Sequence, residues 1–77
     1  MIIDLLIEKS FDGYNSKIPI FPECDFWTKT EDEAIQRAID YIEDNKKVNP
    51  KKIKIDRARI EDNTIIYKII IHDYAAK

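Results

Sequence analysis

Apolar and polar residues alternate in the first third of the chain, which predicts two strands joined by a turn. Residues 2–21 are interrupted by Asp12-Gly13, a dipeptide typical of a two-residue type I′ hairpin turn. Pairing outward from this turn sets Ile7 opposite Ile18, and a slip of one residue would exchange the two faces. The predicted inner face carries Ile3, Leu5, Ile7, Ile18 and Ile20, and the outer face Asp4, Leu6, Glu8, Lys17 and Phe21.

Two prolines limit where the second strand can lie. Pro19 and Pro22 lack the amide hydrogen that a central strand donates, so this strand is predicted to be an edge for part of its length. Residues 25–28 then predict a short strand that runs back along the second one, in which Phe26 and Trp27 point to opposite faces. One ring is expected in the core, and the sequence does not show which.

The pattern then changes to a helical period. Thr30 and Glu33 form a capping box, in which each side chain accepts a hydrogen bond from the other residue's amide. The helix is predicted to end near Asn45, because the Asn49-Pro50 pair prevents its continuation. Its apolar stripe consists of Ile35, Ala38, Ile39 and Ile42, widened by Ala34 and Tyr41.

Alternation returns in residues 51–77, which predict a second hairpin around Asp62-Asn63. Pairing outward from this turn would bring Asp56 onto the apolar face. A β-bulge at Asp56-Arg57 corrects this by adding one unpaired residue, and it sets Ile55 opposite Ile69. The last strand then carries large apolar side chains on both faces, so it is either central and covered twice or meets a partner.

These elements predict one α+β domain spanning residues 1–77. One helix packs on one face of an antiparallel sheet, in the order β-β-(short β)-α-β-β. Isoleucine dominates the apolar residues, and its branched side chain favours strands. A chain of 77 residues buries only about 60% of its unfolded surface, so each apolar face is expected to have a neighbour.

Charge and cysteine content narrow the function classes. Thirteen basic and 15 acidic residues give a net charge of −2, which offers no overall attraction for nucleic acid or anionic lipid. The single cysteine cannot form an internal disulfide, and the N-terminus lacks the pattern of a secretory signal. No stretch is long enough to span a bilayer. We therefore expect a cytoplasmic protein without membrane contact.

Three short motifs resemble the N-terminal domain of HicB-type antitoxins and the HicB-like orphan proteins. They are Asp12 to Tyr14 (DGY), Pro22 to Cys24 (PEC) and Thr30 to Ala34 (TEDEA), the last opening an amphipathic helix. In that family a DGG- or DGY-type turn precedes a P-x-x-P-G-C-like segment, a G-D-T and an E-E-A helix start. The resemblance covers roughly residues 2–42; Glu23 stands where glycine usually precedes the cysteine, and Lys29 where the G-D-T has its aspartate.

The resemblance implies a small cytoplasmic protein that binds and blocks an RNA-cleaving toxin called HicA. It also often implies a C-terminal ribbon-helix-helix or helix-turn-helix that binds operator DNA. The residues after Lys51 alternate like strands and leave no room for two helices, so DNA binding is not expected of this chain.

Two residues are candidates for nucleophilic or acid–base catalysis. Cys24 has no histidine in its motif and is expected to be a small buried apolar residue rather than a nucleophile. His72 is a single histidine near the chain end, where a surface position is expected rather than a general base. We therefore expect no enzymatic activity.

Carboxylates are the candidates for a metal site. Asp4 on the first strand is similar to the metal-binding carboxylate of ribonuclease H-type sheets, to which the HicB-like fold is similar. Asp56 and Asp73 lie at unsuitable places for a site that needs several converging carboxylates. Helix capping explains the acidic run 31–33. No metal and no cofactor are predicted.

The first function class is a non-catalytic protein-binding module. A sheet covered by one helix leaves its other face open, and there the pattern places large apolar side chains. We expect a homodimer through this face, in which Asp4 and Glu8 pair with cations of the second copy; a small basic toxin is the other expected partner. The predicted partner-binding residues are Leu6, Phe21, Ile66, Ile70, Arg59 and Lys68.

The alternative class is a small RNA- or nucleic-acid-binding domain. Arg57, Arg59 and Lys68 would supply a basic side to the last hairpin. No aromatic pair is interleaved with them for base stacking, so a solvated charged face is the simpler interpretation.

Overall fold

The computed structural model describes residues 1–72 of the 77-residue chain, the side chain of Pro50 excepted. This part is α+β, with one α-helix and a five-stranded antiparallel sheet. Residues 73–77, with the candidate carboxylate Asp73, lie outside it. The elements are β1 (Ile2–Lys9), β2 (Tyr14–Ile18), β3 (Phe21–Thr28), α1 (Glu31–Lys46), a 3₁₀ turn (Pro50–Lys52), β4 (Ile53–Glu61) and β5 (Thr64–Ile71).

The predicted class is confirmed, but the element order differs in detail. The third strand is not short: β3 has eight residues, whereas β2 has five. A 3₁₀ turn also separates α1 from β4.

The strands lie in the order β3-β2-β1-β5-β4, so β2, β1 and β5 are interior while β3 and β4 form the edges. Helix α1 packs mainly against β3, β2 and β1, and we call this side of the sheet the helix face. The opposite side is the open face. The strands fill the core between helix and sheet with Ile3, Leu5, Ile7, Ile18, Tyr67, Ile69 and Ile71.

The first hairpin keeps its predicted faces but not its predicted register. Ile7 lies opposite Ser16 rather than Ile18, a shift of two residues that preserves the alternation of side chains. The connection is a four-residue loop in which the Ser10 amide donates to the Gly13 carbonyl at 2.8 Å. Gly13 does not have a positive φ, so the prediction of a type I′ turn is wrong.

The connection from β2 to β3 reverses two predicted placements. Ile18 lies opposite Phe21, so Pro19 and Ile20 form a tight turn, and the Ile20 side chain is 58% exposed rather than in the core. The register of β3 shifts at this point, which turns Phe21 towards the helix. The Phe21 ring lies 5.8 Å from the Tyr41 ring. The prediction that Phe21 lies on the outer face is therefore wrong.

Helix α1 begins and ends as its sequence predicts. The Thr30 hydroxyl accepts from the Glu33 amide at 3.1 Å, and the Glu33 carboxylate accepts from the Thr30 amide at 3.3 Å, so the capping box is confirmed. Lys47 caps the C-terminus in the left-handed conformation. The stripe facing the sheet is formed by buried Ala34, Ala38 and Ile42, with half-buried Ile35, Ile39 and Tyr41 beside them.

The second hairpin contains the predicted bulge, displaced towards the turn. Arg57 lies opposite Tyr67 and Arg59 opposite Ile66, which leaves Ala58 as the extra residue. The bulge thus keeps the large apolar residues of β4 aligned with those of β5. The retained pairs are Ile60–Ile65, Ile55–Ile69 and Ile53–Ile71.

Candidate functional site

The open face consists of rows of side chains that cross the strands. Leu6 lies between Lys17 and Ile66, with Asp25 beyond Lys17 and Arg59 beyond Ile66. Two apolar residues therefore form the centre of this row, and charged residues lie on both sides of them. The row nearer the hairpin loops contains Trp27, Asn15, Glu8, Thr64 and Glu61, and the two rows on the other side contain Asp4, Lys68 and Asp56, and then Ile2, Ile70 and Lys54.

A shallow depression of about 440 Å³ lies on this face over β1, β2 and β3. Within residues 1–72, neither Glu8 nor Asp25 forms an ion pair, and Lys17 is the one cation among the lining residues. The depression therefore carries a net negative charge, which favours basic groups. Its lining consists of Leu6, Glu8, Asn15, Ser16, Lys17, Asp25 and Thr64.

Trp27 is the large aromatic ring of the open face. It lies on β3 opposite Asn15 and is 46% exposed. Phe26 points the other way, is half-buried at the edge of the core and has the Arg37 guanidinium 5.1 Å from its ring centroid. The choice that the sequence left open is thus settled: Phe26 is the core ring, and Trp27 remains accessible.

The predicted partner-binding residues do not form one apolar patch. Leu6 and Ile66 are half-buried neighbours across β1 and β5, and Ile70 lies opposite Ile2. An ion pair between Lys68 and Asp4 separates these two apolar pairs. Phe21 belongs to the core and is not part of this face.

Lys68 and Arg59, the predicted basic contact residues of the second hairpin, are paired within the chain. Lys68 binds Asp4, and the Arg59 guanidinium lies 2.8 Å from the Glu61 carboxylate. Asp4 and Lys68 thus have each other as partners within one chain, and their pairing across a dimer interface stays a prediction.

Arg57 points to the helix face, where it forms part of a small polar cluster. Its guanidinium lies 3.4 Å from Glu31 and over the Tyr67 ring. The Tyr67 hydroxyl donates to the same Glu31 carboxylate. Burial, followed by this hydrogen bond, raises the pKa of Tyr67. The cluster joins the start of α1 to β4 and β5, so Glu31 has a structural partner.

The catalytic candidates lie apart from one another. Cys24 is buried in the core, and its burial raises the pKa of the thiol, which keeps it protonated at neutral pH. His72 is exposed at the end of β5, where its amide donates to the Lys52 carbonyl. In the part of the chain that the structure describes, no three His, Cys, Asp or Glu side chains are grouped to hold a metal ion.

The sequence did not predict the acidic depression, although Leu6, Glu8 and Lys17 of its lining were on the predicted outer face. Asp25 joins Glu8 because β3 pairs with β2 in a register that sets Asp25 opposite Lys17 on the open face. The sequence does contain an indication of this arrangement. Cys24, Phe26 and Thr28 alternate with Asp25 and Trp27, and such alternation is typical of a strand with one buried face and one open face. The link between Tyr41 and Glu23, whose hydroxyl and carboxylate are hydrogen-bonded, had no such signal.

No family model, no curated protein and no solved structure matches this chain. Within residues 1–72, α1 lacks the length and apolar character needed to cross a bilayer.

Proposed function

We propose that this protein is a protein-binding module that holds a partner on the open face of its sheet. The resemblance of its DGY, PEC and TEDEA motifs to HicB-type antitoxins gives the partner class, a small basic RNA-cleaving toxin of the HicA type. In this proposal the protein blocks the toxin by occupying it, without chemistry of its own. Both proteins would act in the cytoplasm, where the toxin meets its RNA.

The acidic depression is the observation that carries this proposal. Glu8 and Asp25 lie there without ion pairs among the described residues, beside the half-buried apolar side chain of Leu6. Unpaired carboxylates around an apolar centre suit a basic protein surface, because they steer its approach and fix its orientation. Charged groups that already pair within the chain, such as Lys68 with Asp4, attract a charged partner much less than unpaired groups do.

Trp27 supplies the second feature that a protein interface needs. Tryptophan is enriched among the residues that dominate binding energy, since its ring buries a large area at little entropic cost. Here the ring is held from one side by Gly13, to which it packs closely, so it is positioned before a partner arrives. Trp27 and Glu8 lie in the same row of the open face, with Asn15 between them.

The second hairpin gives less support to a nucleic-acid-binding role. Arg57, Arg59 and Lys68 each have a carboxylate within ion-pair distance, so their positive charge is locally compensated. Phosphate binding would have to compete with these pairs.

The direct test is inhibition of RNA cleavage by a purified HicA-type toxin, measured against the concentration of this protein. We expect inhibition by the wild type and a loss of at least about tenfold in potency for Glu8→Lys/Asp25→Lys. Asp40→Lys/Asp44→Lys on exposed positions of α1 makes the same change in net charge and should inhibit like the wild type. Equal potency of the two double variants would refute the open face as the binding surface, and no inhibition by the wild type would refute the partner class.

A further inference from the structure

The outer strand β4 has backbone groups that no strand within residues 1–72 satisfies. The His72 amide, directly after β5, donates to the carbonyl of Lys52, directly before β4, at 2.9 Å, so this position is a hydrogen-bonded one in the register of the two strands. Hydrogen-bonded and non-hydrogen-bonded pairs alternate along an antiparallel ladder. Lys54 and Asp56 therefore bond to β5, whereas Ile53, Ile55 and Arg57 direct their amide and carbonyl groups away from the sheet.

The bonds between β1 and β5 give the same assignment independently. The Ile71 amide donates to the Met1 carbonyl at 2.8 Å, and the Met1 amino group donates back to the Ile71 carbonyl at 3.1 Å. Ile71 and Ile69 thus bond towards β1, so their neighbours on β4, Ile53 and Ile55, cannot bond to them. Among the described strands, residues 53–57 thus form a regular unpaired edge, which ends at the bulge around Ala58.

We propose that this edge pairs with the same edge of a second copy, antiparallel about a two-fold axis at Ile55. Ile55 then lies opposite Ile55 of the second copy, and Ile53 lies opposite Arg57 of the second copy. Each of these residues has backbone groups that point away from its own sheet, and so has the residue opposite it in the second copy. Every pair can therefore exchange two hydrogen bonds. The two five-stranded sheets become one continuous sheet, which is the β-addition mode of recognition.

The charges on β4 select this register over its neighbours. Lys54 and Asp56 point to the open face, and within residues 1–72 neither forms an ion pair. An axis at Ile55 sets Lys54 of each copy opposite Asp56 of the other. An axis at Lys54 or at Asp56 would set like charges face to face, which is unfavourable. The edge is thus self-complementary in one register.

The pairing also extends a row of charges that the single chain already contains. Asp4 pairs with Lys68, and Lys68 lies opposite Asp56 on β4. The next position in this row would be Lys54 of the second copy, so the charges alternate in sign across the junction. Half-buried Ile55 packs against its counterpart on the helix face.

This dimer uses a different surface from the proposed function. The edge of β4 lies at the opposite end of the sheet from β3, so the acidic depression over β1 to β3 stays accessible in both copies. In this proposal the homodimer forms through the sheet edge and not through the open face, where the sequence pattern predicts it. A five-residue strand pair is a small interface, so we expect weak association that requires concentrated protein.

Charge reversal combined with sedimentation equilibrium at up to about 1 mM chain tests the proposal. We expect a dimer for the wild type, and a dissociation constant raised at least about tenfold for Lys54→Asp and for Asp56→Lys, because each creates two like-charged pairs. The double variant Lys54→Asp/Asp56→Lys restores opposite charges and should dimerise again. Lys17→Asp on β2 changes the net charge as Lys54→Asp does and should leave the dimer intact.

Amide hydrogen exchange provides a readout at the edge itself, without substitution. The Ile55 amide should become protected as the concentration rises, since it gains an acceptor only in the dimer. The Ile60 amide is the internal control: it also points outward, but it lies beyond the bulge and has no counterpart in this register. A wild-type monomer at about 1 mM, or a dimer that survives both single reversals and is lost in Ile66→Lys, would overturn the proposal.

Discussion

Gly13 lies directly against the ring of Trp27. A Cβ atom placed on Gly13 would stand 2.4 Å from Trp27 Cζ2 and 2.5 Å from the Thr28 carbonyl oxygen. Both distances are far shorter than carbon contacts in a packed protein. The single glycine of the chain is therefore required by close approach between the first hairpin loop and β3, and not by the backbone conformation that its sequence context suggests.

Replacing this glycine should destabilise the protein whatever the φ preference of the new residue. We expect Gly13→Ala to cost about 1–3 kcal/mol, the range for overpacking a tight site, as measured by urea unfolding. Gly13→Asn distinguishes a steric requirement for glycine from a requirement for a positive φ, because asparagine is well suited to a positive φ but is larger than alanine. If Gly13→Asn were more stable than Gly13→Ala, the steric account would be wrong.

The capping box should contribute measurably to the stability of α1. Thr30→Ala removes the oxygen that accepts from the Glu33 amide and should cost about 1 kcal/mol. Amide exchange in the first helical turn should accelerate in this variant. Asp32→Ala is the control, since Asp32 lies in the same turn but is not part of the capping box. A loss in Asp32→Ala equal to that in Thr30→Ala would contradict the assigned role of the cap.

The hydrogen bond from Tyr41 to Glu23 should make stability depend on pH at both ends of the scale. This bond raises the pKa of Tyr41 from 10.0 to about 12 and is the main reason why the pKa of Glu23 falls below 4.5. Because the folded pKa of Tyr41 is the higher one, its contribution is complete below pH 10 and is lost as the pH rises through about 12. The Glu23 contribution is present above pH 4.5 and is lost as the pH falls through the folded pKa.

The difference in unfolding free energy between the wild type and Tyr41→Phe isolates this bond. Phenylalanine keeps the contact with the Phe21 ring and removes only the hydroxyl. We expect the difference to be largest between about pH 4.5 and 10 and to shrink beyond both limits. A difference that does not vary with pH would show that the bond is not formed in solution.

The faces of the strands were predictable from the sequence, but the register of the first hairpin was not. Alternation decides which side chains point inward, and a shift of two residues leaves that decision unchanged. The pairing of Ile7 with Ser16 instead of Ile18 therefore had no signal in the pattern. Asp12-Gly13 favoured a two-residue turn, whereas the four-residue loop leaves Gly13 beneath Trp27, a contact between distant residues.

The bulge in β4 was predictable in kind because Asp56 would otherwise have faced the core. Its position was not, since Ala58 is small and neutral and can stand on either face. Phe21 was misplaced for a related reason: the shift in register after Pro19-Ile20 turns the ring inward, and an apolar residue fits either side of a strand in a pattern analysis. The acidic depression was not predicted either, because Asp25, one of its two carboxylates, lies on this same strand, β3.

Mapping the contact surface by NMR tests the central claim most directly, because it reports where a partner binds. Purified HicA-type toxin would be added to isotope-labelled protein, and the indole and methyl signals followed. We expect the Trp27 indole and the methyl groups of Leu6 and Ile66 to shift, whereas those of Ala38 and Ile42 under the helix stay in place. Perturbation confined to the helix or to the edge of β4, with the Trp27 signal unchanged at saturation, would contradict the account.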